Sequence, residues 1–366
     1  MSGRFEFADT LGPEKVIEIT DPKRGLRGLL VVDNTAAGPA IGGCRISPDA
    51  TAQECFRLAR AMTLKNASAG LPHGGGKSII LEDPKMPIDA KEDLLRAFAR
   101  AIGEIKSYIV GPDMGTNETA MAWMRDEIGR AVGLPREIGG IPLDQIGATG
   151  LGLAAAAQAA EEVLGIRVEG ARVAVQGFGA VGRWAARHLS DRGAVIVAAS
   201  DSHGGIYNSH GLDVDHLLAI KAEGKSVSSY VGGTVIGPEG PITCDCDIMI
   251  PAARPDVIRV DNVDLIKARL VLQGANIPAA AGTEEHLHAR GVHVVPDFIA
   301  NAGGVICAAV EYRGGSQSDA LTSIRDLVYG NTMEVLKRSE AEQTLPRTVA
   351  LAIAEERVRK AMAFRR

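Results

Sequence analysis

The sequence predicts an α/β fold in two domains, of which the second is built on a parallel sheet. Three observations lead to this prediction. The 366 residues exceed the usual size of a single hydrophobic core. The second half contains short, nearly continuous apolar runs, which are typical of parallel strands with helices on both faces. A glycine-rich turn with GxGxxG spacing follows the first of these runs.

The composition excludes several classes of protein. Apolar residues make up 46% of the chain and charged residues 23%, as in globular proteins that fold in water. The net charge of −5 gives no reason to expect nucleic acid or an acidic membrane as a partner. No run of about eighteen apolar residues could span a bilayer, and the N-terminus lacks the apolar stretch of a secretory signal. Five scattered cysteines predict neither a disulfide framework nor a zinc motif, so we expect no metal and a cytoplasmic protein.

The first half of the chain mixes strand-like and helical segments. Short apolar runs predict strands at 26–34 and 77–83. Apolar residues recur every three or four positions in 51–70 and 90–106, which predicts two helices. A loop rich in glycine and proline follows, and we place the end of the first domain there, at residue 147.

The second half changes character. An Ala-rich helix is predicted at 151–165. After it come the apolar runs that predict a buried parallel sheet, namely 171–177, 194–200, 246–252, 268–276 and 292–298. From about Ser318 the chain is helical and charged, and pattern alone does not place this part in space.

The GxGxxG turn predicts a dinucleotide site. Gly177 permits a tight turn, Gly179 lets the backbone approach a pyrophosphate, and Gly182 allows close helix packing. The pyrophosphate would lie at the N-terminus of the following helix, beside Ala180 and Val181. Asp201 ends the next strand and would favour NAD by binding the ribose. It is followed by Ser202 and His203, and with Ser200 these side chains could instead bind a 2′-phosphate, so NAD and NADP stay open.

Two lysines and an aspartate are candidates for chemistry. Lys77 follows three glycines in GLPHGGGKS, but the spacing differs from that of a phosphate-binding GxxxxGK[ST] loop. A lysine closely surrounded by glycine backbone can be buried, which lowers its pKa toward about 7–8 and suits it to acid–base catalysis. Lys65 could bind a carboxylate, and Asp113 lies in a glycine-flanked turn. From the pattern alone, three ordinary surface charges are an equally good interpretation.

The motifs together resemble the glutamate/leucine/phenylalanine/valine dehydrogenase family. Six of them occur in order: GPAIGGCR (38–45), MTLKNASAGLPHGGGKS (62–78), GPDMGTN (111–117), ATGLG (148–152), VQGFGAVG (175–182) and PDFIANAGGV (296–305). The resemblance covers nearly the whole chain. It implies the reversible, NAD- or NADP-dependent oxidative deamination of an L-amino acid to a 2-oxo acid and ammonia.

The resemblance also implies roles for individual residues. Lys77 would be the catalytic lysine, Asp113 the general acid and base, and Lys65 the ligand of the substrate carboxylate. Gly43 would lie on the pocket wall. The cofactor side would be formed by Thr149, Ala180, Val181, Asn276 and Asn301 together with the glycine-rich turn.

The family architecture completes the domain prediction. It implies a substrate domain at 1–147, a Rossmann-like cofactor domain at 148–330, and a C-terminal helix at about 331–366 that rejoins the first domain. Substrate would bind between the two domains. The family further implies a homo-oligomer that is built through the first domain.

The substrate prediction depends on the pocket wall. Glutamate-specific members carry a lysine in GPxKGG and a serine in NAGGVxxS, where this chain has Ile41 and, in the second region, Ala308 or Ala309. A substrate carboxylate without a partner would cost several decades of specificity. Contacts with Ile41 and Val305 favour an apolar side chain, with leucine or valine ahead of phenylalanine. The alternative is glutamate with a relocated cation, for which Lys106, Arg125 and Arg313 are available.

Overall fold

The structure, a computed structural model, describes residues 6–365 and divides into two compact units. The first unit extends to Pro142 and also takes in Val305–Ala320 and the chain from Leu351 onward. The second unit comprises Leu143–Gly304 and Leu321–Ala350. The chain is thus an α/β protein with a sheet in each unit, as the sequence predicts.

A five-stranded mixed sheet forms the centre of the first unit. Its strands have the order β1-β2-β4-β3-β5. Strands β1 and β2 pair antiparallel, as do β2 and β4, whereas β3 pairs parallel with both β4 and β5. The elements that begin and end in this unit are β1 (Lys15–Asp21), β2 (Leu26–Asn34), β3 (Ala40–Ile46), α1 (Ala52–Ser68), β4 (Gly74–Ile80), α2 (Ile88–Ala101), β5 (Tyr108–Pro112) and α3 (Glu118–Ile128).

Local sequence explains where these elements begin and end. The hydroxyl of Thr51 caps α1, and the side chain of Asn117 caps α3 by accepting from the backbone of Ala120. Helix α3 ends at Gly129, which adopts a left-handed conformation. Strand β2 occupies the predicted residues, because its apolar run is bounded by turn residues on both sides.

The glycine run before Lys77 belongs to a strand. The sequence predicts a strand that begins at residue 77, whereas β4 already begins at Gly74. The glycines pair with both neighbouring strands, β2 and β3, which are distant in the sequence. Helix α1 also crosses so close to β4 that a Cβ atom at Gly75 would lie 1.9 Å from the backbone nitrogen of Thr63. The glycines therefore let a helix pack directly on the strand that carries Lys77.

The second unit contains a seven-stranded sheet in the order β12-β11-β10-β6-β7-β8-β9. Strands β12, β11, β10, β6 and β7 run parallel, and β8 and β9 complete the sheet antiparallel. Its elements are α4 (Ala148–Leu164), β6 (Arg172–Gln176), α5 (Ala180–Ser190), β7 (Val195–Asp201), β8 (Gly204–Tyr207), α6 (Val214–Ala222), β9 (Thr234–Ile236), α7 (Gly240–Thr243), β10 (Ile248–Pro251), β11 (Leu270–Leu272), α8 (Thr283–Ala289), β12 (His293–Val295) and α9 (Asp297–Ala300).

Three further helices complete the chain: α10 (Gly303–Tyr312), α11 (Gln317–Glu342) and α12 (Pro346–Met362). Each of them has residues in both units. The two units differ from the predicted boundaries in three places: residues 305–320 pack with the first unit, whereas residues 143–147 and 331–350 pack with the second. No helix within residues 6–365 is long and apolar enough to cross a membrane.

Candidate active site

Lys77 is buried in the middle of β4, with only 6% of its surface exposed. Its ammonium group forms an ion pair with the Asp113 carboxylate. Burial lowers the pKa of Lys77 to about 8, and the nearby positive charge of Arg45 acts in the same direction. A lysine with this pKa can both hold and release a proton near neutral pH.

Asp113 directly follows β5 and is held on both carboxylate oxygens. Its Oδ2 faces Lys77, while Oδ1 accepts from the Arg45 guanidinium at 3.2 Å and from the backbone N–H of Met114 at 2.6 Å. The backbone N–H of Asp113 donates to the Thr116 hydroxyl at 2.9 Å. Lys77 on β4, Arg45 on the neighbouring parallel strand β3, and the loop after β5 thus hold the Asp113 carboxylate in one position.

Glycine provides the space for Asp113. Strand β3 pairs Gly43 with Gly111 of β5. A Cβ atom at Gly43 would lie 2.8 Å from the Asp113 Cβ atom and 2.9 Å from the carbonyl oxygen of Pro112. Gly43 therefore contacts the predicted acid–base residue directly.

Lys65 lies near the end of α1, the helix that packs on β4. The neighbouring residue, Asn66, is buried, and its side-chain amide donates to the carbonyl oxygen of Gly74 at 2.7 Å. This hydrogen bond fixes the end of α1 on the strand that carries Lys77. The structure therefore brings Lys77, Asp113 and Gly43 into contact and places Lys65 on the adjoining helix.

An apolar cluster lies in the same unit. It consists of four buried side chains from β3, β5, the loop after α3 and α10: Ile41, Ile109, Val132 and Ala308. Val305 is half-buried and lies one turn before Ala308 on α10. Ile41 and Ala308, two of the positions on which the substrate prediction depends, thus belong to one buried cluster.

A buried carboxylate on α10 lies close to this cluster. Glu311 lies three residues after Ala308 on α10 and accepts from the backbone N–H groups of Leu134 and Ile141 at 3.2 Å and 2.7 Å. Burial raises the pKa of the Glu311 carboxyl. The hydrogen bonds tie the loop that carries Val132 to α10.

The glycine-rich turn in the second unit fits a pyrophosphate. Gly177 has a φ of +94°, and a Cβ atom at Gly182 would lie 2.0 Å from the carbonyl oxygen of Gly177. An added Cβ at Gly179, in contrast, would meet no atom within 4 Å, so this backbone is open to a ligand. Helix α5 begins at Ala180 without a side-chain cap, which leaves its first N–H groups available for an anion.

The sheet topology supports the same location. Strands β10 and β6 are neighbours, although the chain passes through β7, β8 and β9 between them. Ligands of open α/β sheets bind beyond the carboxyl ends of the strands at such a switch point. Gly177 follows β6, and its Cα hydrogen faces Ala253, which follows β10: an added Cβ would lie 2.7 Å from Ala253.

Asp201, at the end of β7, is already hydrogen-bonded. Its Oδ1 accepts from the backbone of His203 at 3.0 Å and from the hydroxyl of Ser226 at 2.8 Å. Its Oδ2 accepts from Lys221 at 2.9 Å and from the backbone of Val227 at 3.0 Å. Burial alone would raise the pKa of Asp201, but these hydrogen bonds lower it to about 2. A carboxylate offers about four acceptor positions, so a ribose hydroxyl would have to displace one of these donors.

Two asparagines lie together beside the parallel sheet. The amide of Asn301 donates to the side chain of Asn276 at 3.0 Å. Thr149 is in the first turn of α4, and its hydroxyl would lie 3.7 Å from a Cβ atom at Gly304. The predicted nicotinamide-side residues are thus all within the second unit, as is the glycine-rich turn.

One arginine holds the segments that carry these asparagines. Arg347 binds both oxygens of Glu284, at 2.8 Å each, and donates to Asp297 and Gln273 at 2.9 Å each. Asp297 in turn accepts from the backbone of Ile277 at 2.8 Å. Arg347 thereby fixes the chain on both sides of the Asn276–Asn301 contact.

Comparison with known proteins identifies the family to which this chain belongs. The family model described as "Glutamate/Leucine/Phenylalanine/Valine dehydrogenase" matches residues 139–366, and the model "Glu/Leu/Phe/Val dehydrogenase, dimerisation domain" matches residues 13–130. The chain belongs to this family. It is therefore an amino-acid dehydrogenase, an oxidoreductase that uses NAD or NADP.

Similar members of the family include several enzymes that are named glutamate dehydrogenases. The NADP-specific glutamate dehydrogenase of Saccharolobus shibatae is 39% identical over 96% of this chain and 90% of its own length. The NADP(+)-dependent glutamate dehydrogenase of Pyrobaculum calidifontis is 36% identical over 96% and 91%. A leucine-bound hetero-hexameric glutamate dehydrogenase from Thermus thermophilus superposes with a TM-score of 0.84 at 30% identity, covering 97% of this chain and 90% of that one.

The structure of this dehydrogenase adds residues that the sequence motifs did not single out. Arg45 and Glu54 contact each other next to Asp113, and Arg347 holds the segments that carry Asn276 and Asn301. Arg45 stands within the motif GPAIGGCR, but nothing in the spacing indicates that it reaches a residue 68 positions later. Only the parallel pairing of β3 with β5 brings the two together.

Proposed function

We propose that this protein catalyses the reversible oxidative deamination of an L-amino acid at the Lys77–Asp113 pair. In this reaction the amino acid, water and the oxidised cofactor give the 2-oxo acid, ammonium, the reduced cofactor and a proton. The observation that carries the proposal is the buried ion pair itself. A lysine with a pKa of about 8 beside a fixed carboxylate is suited to moving protons between water and the substrate amino group.

The side chains would divide the work as follows. Neutral Lys77 accepts a proton from the attacking water, Asp113 exchanges a proton with the amino group, and Lys65 binds the α-carboxylate. The nicotinamide ring, when bound, supplies the hydride acceptor. Asn276, Asn301 and Thr149 would orient it, while Gly177, Gly179, Ala180, Val181 and Gly182 would hold the pyrophosphate. The first unit would accordingly bind the amino acid and the second unit the cofactor.

For the substrate, the pocket wall favours an apolar side chain. Ile41 and Ala308 belong to one buried apolar cluster, and neither could pair with a substrate carboxylate. Such a carboxylate would be left without its partners, which is costly in a site of low polarity. Leucine, valine and phenylalanine would instead gain contacts with this wall and with Val305.

Glutamate is the second candidate, and the names of the similar enzymes favour it. The relatives with 39% and 36% identity are both named glutamate dehydrogenases. Glutamate would require a cation from another position. Arg313 directly follows α10 and is exposed, whereas Arg125 donates to the carbonyl oxygen of Ile138 at 2.8 Å.

Initial rates with purified enzyme distinguish the two substrates. Leucine, valine, phenylalanine and glutamate are each assayed with NAD and with NADP. We expect kcat/KM for the best apolar substrate to exceed that for glutamate by about 10³-fold. The double variant Ile41→Lys, Ala308→Ser is expected to lower the ratio of kcat/KM for the best apolar substrate to kcat/KM for glutamate. The single variant Ala308→Ser is the control. A wild-type preference for glutamate would contradict the apolar assignment.

For the cofactor, we propose a preference for NADP. The acceptor positions of Asp201 are filled, and the side chains of Ser202 and His203 are exposed in the adjoining turn, where they could donate to a 2′-phosphate. We expect the double variant Ser202→Ala, His203→Ala to raise KM for NADP about tenfold and to leave KM for NAD unchanged. The matched control is Ser209→Ala, His210→Ala, an exposed Ser–His pair in the next loop. Equal effects on both cofactors would overturn the preference.

We also propose that the protein forms a homo-oligomer through its first unit. The family model that matches residues 13–130 is named as a dimerisation domain. Strand β1 lies at one edge of the five-stranded sheet, and its Val16 is partly exposed. An edge strand of this kind is suited to pairing with another chain.

A further inference from the structure

Arg45 lies between two carboxylates beside the catalytic pair. Its Nη1 contacts Glu54 in the first turn of α1, and its Nη2 donates to Asp113 Oδ1 at 3.2 Å. Only 16% of its side-chain surface is exposed. The arginine is thus held in one position by two elements, α1 and the loop after β5.

The two oxygens of Asp113 face different cations. Arg45 and the backbone of Met114 occupy Oδ1, so Oδ2 is the oxygen left for Lys77. Without Arg45, only the backbone N–H of Met114 would hold Oδ1, and the orientation of the carboxylate would be less strictly fixed. A planar guanidinium fixes a carboxylate more strictly than an ammonium group does.

The charges around Lys77 have opposite effects on its protonation. Arg45 disfavours the ammonium form, whereas Glu54 favours it. The titratable and charged groups that face Lys77 from the elements packed against β4 are Cys44 and Arg45 on β3, Glu54 and Cys55 on α1, and Asp113 after β5. Burial raises the pKa of Cys44 to about 11 and that of Cys55 to about 12, so both thiols stay neutral near pH 8.

We propose that Arg45 is a positioning residue that sets the pH at which the dehydrogenase works, by orienting Asp113 and favouring neutral Lys77. The inference rests on the proposed function of the Lys77–Asp113 pair. Glu54 has two roles in this proposal: the carboxylate holds the Arg45 guanidinium in place, and it partly compensates the positive charge of Arg45. Arg45 need not touch the substrate for either effect.

The test is the pH profile of kcat/KM for deamination, whose acidic limb reports the protonation of Lys77 in the free enzyme. Arg45→Gln removes a positive charge, so Lys77 holds its proton more firmly, and the limb is expected to move to higher pH by about one unit. Glu54→Gln removes a negative charge and is expected to move the limb to lower pH. Arg45→Lys keeps the charge and is expected to lower kcat with a smaller shift.

Arg60→Gln is the matched control. Arg60 lies on α1 and, like Arg45, joins two carboxylates, those of Asp9 and Asp33. Its loss is expected to lower thermal stability without moving the limb. If Arg45 had only a structural role, Arg45→Gln would lower activity equally at every pH. The acidic limbs of the Arg45→Gln and Glu54→Gln profiles would then not move in opposite directions. Either result would overturn the inference.

A second readout does not depend on turnover. The pH dependence of Lys77 acetylation by acetic anhydride, followed by peptide mass spectrometry, measures its protonation in the cofactor-free protein. The midpoint is expected to rise in Arg45→Gln and to fall in Glu54→Gln. Unmoved midpoints would overturn the inference even with an active enzyme. Wild-type protein that turns over no amino acid, with midpoints that shift as expected, would instead refute the proposed function alone.

Discussion

Lys77→Met is expected to lower kcat by about 10³-fold or more, because general acid–base catalysis at the buried pair is lost. Methionine has a similar length and is apolar, so it should fill the space in β4. It leaves Asp113 Oδ2 without its cation, so some loss of thermal stability is expected as well. Asp113 keeps its hydrogen bonds from Arg45 and Met114. The measurement is the steady-state rate of reduced-cofactor formation, accompanied by thermal unfolding to verify that the variant folds.

A second substitution separates the charge of Lys77 from its ability to lose a proton. Lys77→Arg retains a positive charge, but arginine is not deprotonated in proteins, so it cannot act as the base. We expect it to be nearly as inactive as Lys77→Met. Lys85→Met, in an exposed loop, is the control and should leave kcat unchanged. Substantial activity in Lys77→Arg would show that only the charge is needed, and the proposed base would be wrong.

Gly43→Ala should lower kcat by about 10²-fold through displacement of the neighbouring carboxylate. The added Cβ atom would lie 2.8 Å from the Asp113 Cβ and 2.9 Å from a backbone oxygen, so Asp113 must move. Displacement of a catalytic group by about an ångström is enough for a loss of this size. Cofactor affinity, measured by fluorescence titration, should stay unchanged because the predicted cofactor residues lie in the other unit.

Gly330→Ala is the control for the glycine substitution. Gly330 lies in α11, and an added Cβ there would meet no atom within 4 Å. This variant should retain both activity and stability. If Gly43→Ala had the same kcat as Gly330→Ala, the position of Asp113 would not limit the reaction, and its proposed role as acid and base would be in doubt.

Several features of this dehydrogenase could be predicted from sequence because they depend on neighbouring residues. The apolar run of β2 is bounded by turn residues, and its predicted ends agree with the structure. The GxGxxG turn is equally local: a strand precedes it, a helix follows it, and Gly177 and Gly182 have the conformation and close contact that the spacing implies. The ordered motifs were sufficient to identify the family.

Other features depend on residues that are distant in the chain. The sequence offered equal grounds for surface charges and for a catalytic site at Lys77 and Asp113, since the burial of a side chain depends on what packs over it. The glycines before Lys77 form part of β4 because they pair with β2 and β3, and only glycine lets α1 lie directly against them. The hydrogen bonds of Asp201 also depend on distant residues, because the donors Lys221, Ser226 and Val227 come 20 to 26 residues later in the chain.

Periodicity and motif spacing are encoded locally, so they were enough to predict the family, the α/β architecture and the glycine-rich turn after β6. The burial of Lys77 against Asp113, and the contacts of Arg45 with Glu54 and Asp113, become visible only in the folded chain. The physical reason is that the free energy of a charge depends on its desolvation and on the charges within a few ångströms. Both are set here by the packing of α1 and by the pairing of β3 with β4 and β5.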